Sequence, residues 1–127
     1  MKNKSVAVLY GCVDPVLKSD HRFCHQMNDW RSVYRAFKLY RQCDDASIAE
    51  GYYDKIVILF TKEWLTVSEL AGLVRSDPLF GQFVLRHVDT LMSPEQGELI
   101  IANATERCPI TAKQFCRRLA AKAREPN

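Results

Sequence analysis

The sequence has no long hydrophobic run, few glycines and no closely paired cysteines. Its longest apolar run, residues 56–60, is far shorter than the ~20 residues that a membrane-spanning helix needs. Five glycines in 127 residues provide no glycine-rich phosphate loop. The absence of any Cys-x2-Cys pair argues against a structural zinc site. The sequence therefore predicts no membrane span, no nucleotide loop and no metal centre of the zinc-finger type.

Length and composition indicate one globular domain. A chain of 127 residues with 47% hydrophobic residues can bury a sizeable core. The charged fraction of 26% is ordinary for such a domain.

Charge is unevenly distributed along the chain. Residues 1–42 carry eight Lys/Arg and three Asp/Glu. Residues 43–106 carry four Lys/Arg and eleven Asp/Glu, and residues 107–127 carry six Lys/Arg and one Glu. This pattern indicates either a polar binding face or basic ends that fold back onto an acidic middle, and we favour the second. A nucleic-acid binder would show one basic stripe with aromatic residues and a higher pI, so no nucleic-acid partner is predicted.

The spacing of apolar residues predicts an all-α fold. An apolar stripe with three- and four-residue steps follows Asn28, and basic residues fill the opposite face. Further helix starts are indicated by capping or Pro signals at 47–50, 66–69, 77–78, 93–96 and 111–114. Residues 79–91 are expected to form one helical face that includes His87, and Leu99, Ile100 and Ala104 another. We predict a compact bundle of about six short helices over residues 28–127, alternatively stacked helix pairs, after an irregular N-terminal arm over residues 1–27.

The densest acidic stretch, residues 43–54, begins the most apolar helix. Ser47 and Glu50 fit a capping box, and a close helix–helix contact would explain Gly51. The residues left over by capping and burial are candidates for binding a partner with a basic patch, together with a nearby tryptophan. These predicted partner-binding residues are Asp44, Asp45, Tyr53, Asp54 and Trp64.

Catalysis is a weaker interpretation of the same residues. The acidic cluster (Asp44, Asp45, Glu50) and His87 could serve a small hydrolase or metal-dependent enzyme. However, His87 lies between Phe83 and Leu91 on a predicted apolar face, which favours a core histidine. No cysteine has the setting of a nucleophile, and no cofactor or metal site is expected.

The five cysteines leave the redox state open. Cys108 and Cys116 are eight residues apart across a Pro-containing turn, and a disulfide between them would join two helices. Buried free thiols are the alternative, and the pairing of Cys12, Cys24 and Cys43 is undetermined. The basic, weakly apolar N-terminus does not form a complete signal peptide.

The sequence from about residue 40 to 124 resembles small helical proteins of Gram-negative bacteria. The matching segments are 43–45 (Cys-Asp-Asp), 49–51 (Ala-Glu-Gly), 83–89, 103–104, 108–109 (Cys-Pro) and Cys116. The resemblance implies a periplasmic mature form with the late cysteine pair, whereas the N-terminus with Cys12 and Cys24, and Ala46 in place of Gly, depart from the group. A cytoplasmic location is the alternative.

In size and helical class this group is similar to immunity proteins that neutralise antibacterial toxins, such as inhibitors of type VI secretion amidases or of contact-dependent inhibition toxins. The resemblance therefore leads to the hypothesis of a non-enzymatic immunity protein whose partner is a bacterial toxin. An accessory or adaptor protein is a further alternative, and a homodimer is also left open.

Overall fold

The computed structural model describes residues 28–40, 46–88 and 92–125, with residues 40 and 46–51 described for their backbone only. Every regular element in these ranges is helical, which confirms the predicted all-α class. The six α-helices are α1 (Trp30–Tyr40), α2 (Ala46–Lys62), α3 (Val67–Ser76), α4 (Pro78–Arg86), α5 (Pro94–Glu106) and α6 (Lys113–Ala123). Short 3-10 turns, Trp64–Thr66 and Ile110–Ala112, precede α3 and α6.

By its internal contacts the chain divides into two compact units, Met1–Lys55 and Ile56–Asn127. The division falls within helix α2. The predicted N-terminal arm, residues 1–27, lies outside the described residues, so its boundary with the helical domain stays a prediction.

In the first unit, α1 begins at Trp30 with a cap that the sequence pattern did not reveal. The amide of Ser32 donates to Oδ1 of Asp29 at 2.8 Å, and the amide of Asp29 donates to Oγ of Ser32 at 3.1 Å. The hydrogen bonds from Ser32 lower the pKa of the Asp29 carboxyl. Trp30, Val33 and Phe37 are buried, as the spacing predicted.

In the second unit, the core comes from one face of each helix. The buried residues of each helix recur at steps of three or four, the pattern expected when a helix packs on one side. They are Val67, Leu70, Ala71 and Val74 on α3; Phe80, Gly81, Phe83 and Val84 on α4; Ile100, Asn103 and Ala104 on α5; and Phe115, Cys116, Leu119 and Ala120 on α6. The C-terminal part of α2 adds Ile56, Val57, Leu59 and Phe60, whose ring stacks on Phe115.

One predicted capping box is present and two are not. At the start of α5, the Gln96 amide donates to Oγ of Ser93, and the Ser93 amide donates to Oε1 of Gln96. The Thr66 hydroxyl instead donates a hydrogen bond of 2.6 Å to the carbonyl of Glu63. Thr111 belongs to the 3-10 turn before α6. In both places a 3-10 turn leads directly into the helix, so no side-chain cap forms. Ser47 lies inside α2, beyond its first residue, and its side chain is outside the described residues.

Two helical faces also differ from the prediction. Helix α4 ends at Arg86 rather than continuing toward residue 91, and His87 and Val88 follow as buried residues of a turn. On α5 the buried position is taken by Asn103, while Leu99 is partly exposed. A polar residue was not expected inside because its hydrogen-bond partner lies 43 positions away in the sequence.

A close approach of α3 and α4 depends on Gly81. This glycine is buried, and a Cβ atom built on it would lie 2.8 Å from Cγ1 of Val74. The contact is too short for a methyl group, so the two helices need a residue without a side chain here. The predicted close contact at Gly51 is outside the residues with described side chains.

We expect Gly81→Ala to lower the free energy of unfolding by roughly 1–3 kcal/mol, because the added methyl group meets Val74. Gly72→Ala is the matched control: its nearest neighbour would be Nη2 of Arg75 at 3.8 Å, so improved helix propensity should stabilise the protein by up to about 1 kcal/mol. Urea denaturation measures both. The penalty should shrink when Gly81→Ala is made in a Val74→Ala background, and an equal penalty in both backgrounds would disprove the contact.

Candidate functional site

The predicted partner-binding residues of the acidic stretch are only partly described. Asp44 and Asp45 lie outside the described residues, so their role stays a prediction. On helix α2, Asp54 is exposed and Tyr53 is half-buried. These two adjacent residues offer a carboxylate and part of an aromatic ring at the surface of the first unit.

Trp64 is placed differently from the expectation of an open binding surface. Its side chain is only 7% exposed, and its ring lies 6.3 Å from that of Phe60. The indole Nε1 donates a hydrogen bond of 2.9 Å to the carbonyl of Arg107, just after the end of α5. Trp64 therefore belongs to the packing of the second unit, because the indole gains both apolar contact and a hydrogen-bond acceptor there. Whether its small exposed edge also meets a partner stays a prediction.

A second hydrogen bond joins the same two helix ends. Asn103, 4% exposed on α5, donates from Nδ2 to the carbonyl of Phe60 at 3.0 Å. That carbonyl belongs to the last turn of α2, where helical acceptors lack partners within the helix. The Asn103 Oδ1 accepts from Nη1 of Arg107 at 3.1 Å, so both ends of the amide are used. Two hydrogen bonds thus hold the end of α2 against the end of α5: Trp64, just after α2, donates to Arg107, and Asn103 on α5 donates to Phe60.

His87, the residue proposed as a base in the enzymatic alternative, is 6% exposed. Its Nδ1 lies 2.8 Å from the carbonyl of Phe83, one turn earlier. Because a carbonyl only accepts hydrogen bonds, Nδ1 carries the proton in this contact. The ring also lies 4.5 Å from the Phe83 ring. These contacts confirm the prediction of a core histidine.

Cys108 and Cys116 form the predicted disulfide. Their Cα atoms are 6.3 Å apart, and the bond links the segment after α5 to the first turns of α6. Closing a loop with this separation of eight residues stabilises the folded chain by about 2.5 kcal/mol in the chain-entropy description. The crosslink fixes α6 against the end of α5.

The sequence did not reveal the two grooves along helix α6. One groove, of about 440 Å³, lies between α3 and the start of α6, and its lining includes Arg75, Phe115 and Arg118. The other, of about 610 Å³, lies along α5 and α6, and its lining includes the disulfide and Arg124. Ile110, Lys113 and Arg117 line both grooves and therefore form the ridge between them. We call these three residues the basic ridge.

The basic ridge exposes an apolar side chain among cations. Ile110 is 87% exposed, although isoleucine is usually a core residue. The turn that carries it is fixed by Arg75, whose Nη1 donates to the carbonyl of Thr111 at 2.8 Å. A signal was available in the sequence, since Ile110 directly follows Cys-Pro and six basic residues follow position 106. From the sequence, these basic residues are instead expected to fold back onto the acidic middle.

The described residues contain no group of three or more His, Cys, Asp or Glu side chains arranged to hold a metal ion. No helix among them is both long and apolar enough to cross a membrane.

Comparison with known proteins gives no match: no family model, no curated protein and no solved structure is significantly similar to this chain.

We expect Asn103→Ala to lower the free energy of unfolding by about 2 kcal/mol, because it leaves the buried carbonyl of Phe60 without its donor. Thr105→Ala, on the exposed side of the same helix, is the control, since its hydroxyl bonds only to Ile101 in the preceding turn. It should change stability by less than about 0.5 kcal/mol. Thermal and urea unfolding measure the two effects, and equal values would show that the buried amide has no special role.

Proposed function

We propose that this protein is an immunity-type inhibitor, which binds and occludes a cognate antibacterial toxin and catalyses no reaction itself. The observation that carries the proposal is the exposed Asp54, which directly follows the half-buried Tyr53 in helix α2. An exposed carboxylate with an aromatic residue on the same helix is suited to a partner that presents a basic patch. In sequence the pair follows the acidic residues Asp44 and Asp45, which are predicted partner-binding residues as well.

The setting of His87 supports binding rather than catalysis. A general base needs access to the proton that it removes. Here the imidazole is buried, and its Nδ1 is hydrogen-bonded to the backbone of Phe83. The resemblance of residues 40–124 to small helical bacterial proteins, and through them to toxin inhibitors, supports the same proposal. It also suggests where the toxin is to be sought, in the product of the adjacent gene.

We expect Asp54→Lys to weaken binding to that toxin by at least about tenfold, which corresponds to ~1.4 kcal/mol, because it places a cation opposite the partner's basic patch. Glu98→Lys is the matched control, since Glu98 is an exposed acid on α5 in the second unit and should bind within about twofold of the unaltered protein. Calorimetric titration gives the affinities, and growth of cells that co-express both proteins gives the protection.

The outcomes of this experiment separate the surface from the function. Normal binding by Asp54→Lys would disprove the role of the acidic surface in binding but would not contradict the inhibitor function. The function itself would be disproved if the unaltered protein neither binds the adjacent gene product nor protects cells from it.

We further propose that the mature protein acts in the periplasm. The Cys108–Cys116 disulfide is typical of proteins in oxidising compartments, and the resemblance implies the same location. Cells of the native host would be treated with a thiol-alkylating reagent, fractionated and analysed by peptide mapping without reduction. We expect the crosslinked peptide in the periplasmic fraction. Alkylated Cys108 and Cys116 in the cytoplasmic fraction would contradict the proposal.

A further inference from the structure

The basic ridge has the properties of an interaction surface that is distinct from the acidic residues of α2. It lies entirely in the second unit, and its residues separate two grooves. Ile110 and Lys113 are three positions apart, and Lys113 and Arg117 are four apart, so all three line up along one side of the turn and the start of α6. The cation Lys113, the first residue of α6, therefore lies next to the exposed Ile110 along this line.

The charge of this surface has one sign. The described cations that line the two grooves are Arg75, Lys113, Arg117, Arg118 and Arg124, and no described Asp or Glu lines either groove. Within the part of the chain that the structure describes, no ion pair involves Lys113, Arg117, Arg118 or Arg124, and the pair on α6 is that of Lys122 with Glu125. Clustered cations without counter-charges favour an anionic partner and accelerate its approach.

Ile110 indicates which class of anionic partner fits. Removing an exposed isoleucine from water is favourable, so a partner with apolar side chains gains from covering it. Protein interfaces combine an apolar centre with a polar rim, and here Ile110 provides the centre and the cations provide the rim. Surfaces for single-stranded nucleic acid instead place aromatic rings in a basic groove for base stacking. Among the described residues, the only aromatic ring that lines either groove is that of Phe115, and it is buried.

The walls of the grooves are held in place before any partner binds. The disulfide forms part of one wall. Arg75 spans the other groove through its hydrogen bond to Thr111. A surface that is already ordered loses little conformational entropy on binding.

We propose that the basic ridge and its two grooves bind an acidic segment of another protein that carries apolar side chains. The carboxylates of the segment would pair with Lys113 and Arg117, and an apolar side chain would cover Ile110. This surface shares no residue with the predicted toxin-binding residues, so the proposal does not depend on the inhibitor function.

The test is a selection of short random peptides displayed on phage against the oxidised full-length protein, followed by titration of the enriched peptides as fluorescein conjugates. We expect the enriched peptides to combine Asp or Glu with Leu, Ile or Val. Ile110→Ser and Arg117→Glu should each lower their affinity by about tenfold or more. Higher salt should also weaken binding, because the charged groups are near the surface.

Two substitutions away from the grooves serve as controls. Leu79→Ser removes another exposed apolar side chain, and Lys62→Glu reverses another exposed cation. Both should bind the peptides within about twofold of the unaltered protein. Because Ile110 and Arg117 are exposed, we expect their variants to fold normally, and equal unfolding midpoints would show this.

Three results would overturn the proposal. The first is enrichment of peptides without acidic residues, or of none. The second is unchanged affinity in both Ile110→Ser and Arg117→Glu. The third is tighter binding of a fluorescein-labelled oligothymidine than of any peptide, with loss of that binding in Arg117→Glu, which would assign the surface to nucleic acid.

Discussion

The second unit depends on hydrogen bonds that its helix ends cannot make by themselves. The last carbonyls of a helix have no amide partner within it, and a buried carbonyl without a donor is costly. Asn103 supplies the donor for Phe60 at the end of α2, and Trp64 supplies the donor for Arg107 after α5. Because each of the two ends is completed by a side chain associated with the other, neither end can move without breaking one of these hydrogen bonds.

The groove surface follows from this arrangement. Once the end of α5 is fixed against α2, the Cys108–Cys116 disulfide sets the start of α6 relative to α5, and Arg75 fixes the intervening turn from the side of α3. The turn must then run over the surface, where Ile110 has no core to enter. An exposed isoleucine is thus the consequence of a well-held backbone rather than of loose packing.

The two proposed surfaces have opposite charge, which the net charge of +3 conceals. Asp54 belongs to the acidic middle of the sequence, whereas Lys113 and Arg117 belong to its basic end. A folded-back basic end, the interpretation favoured from the sequence, would pair these cations with carboxylates. Among the described residues no carboxylate pairs with Lys113 or Arg117, and both line the grooves of the second unit.

The sequence by itself determined the helical class, most helix positions and the buried face of α1, because these depend on local spacing of apolar residues and on nearby prolines. It also indicated the core position of His87 and identified Cys108 and Cys116 as a possible pair. Only the tertiary structure decided the burial of Trp64 and Asn103, the need for Gly81 and the grooves beside Ile110. Each of these depends on a contact between segments far apart in the chain, such as the 43 positions between Phe60 and Asn103, and local periodicity carries no information about which distant groups will meet.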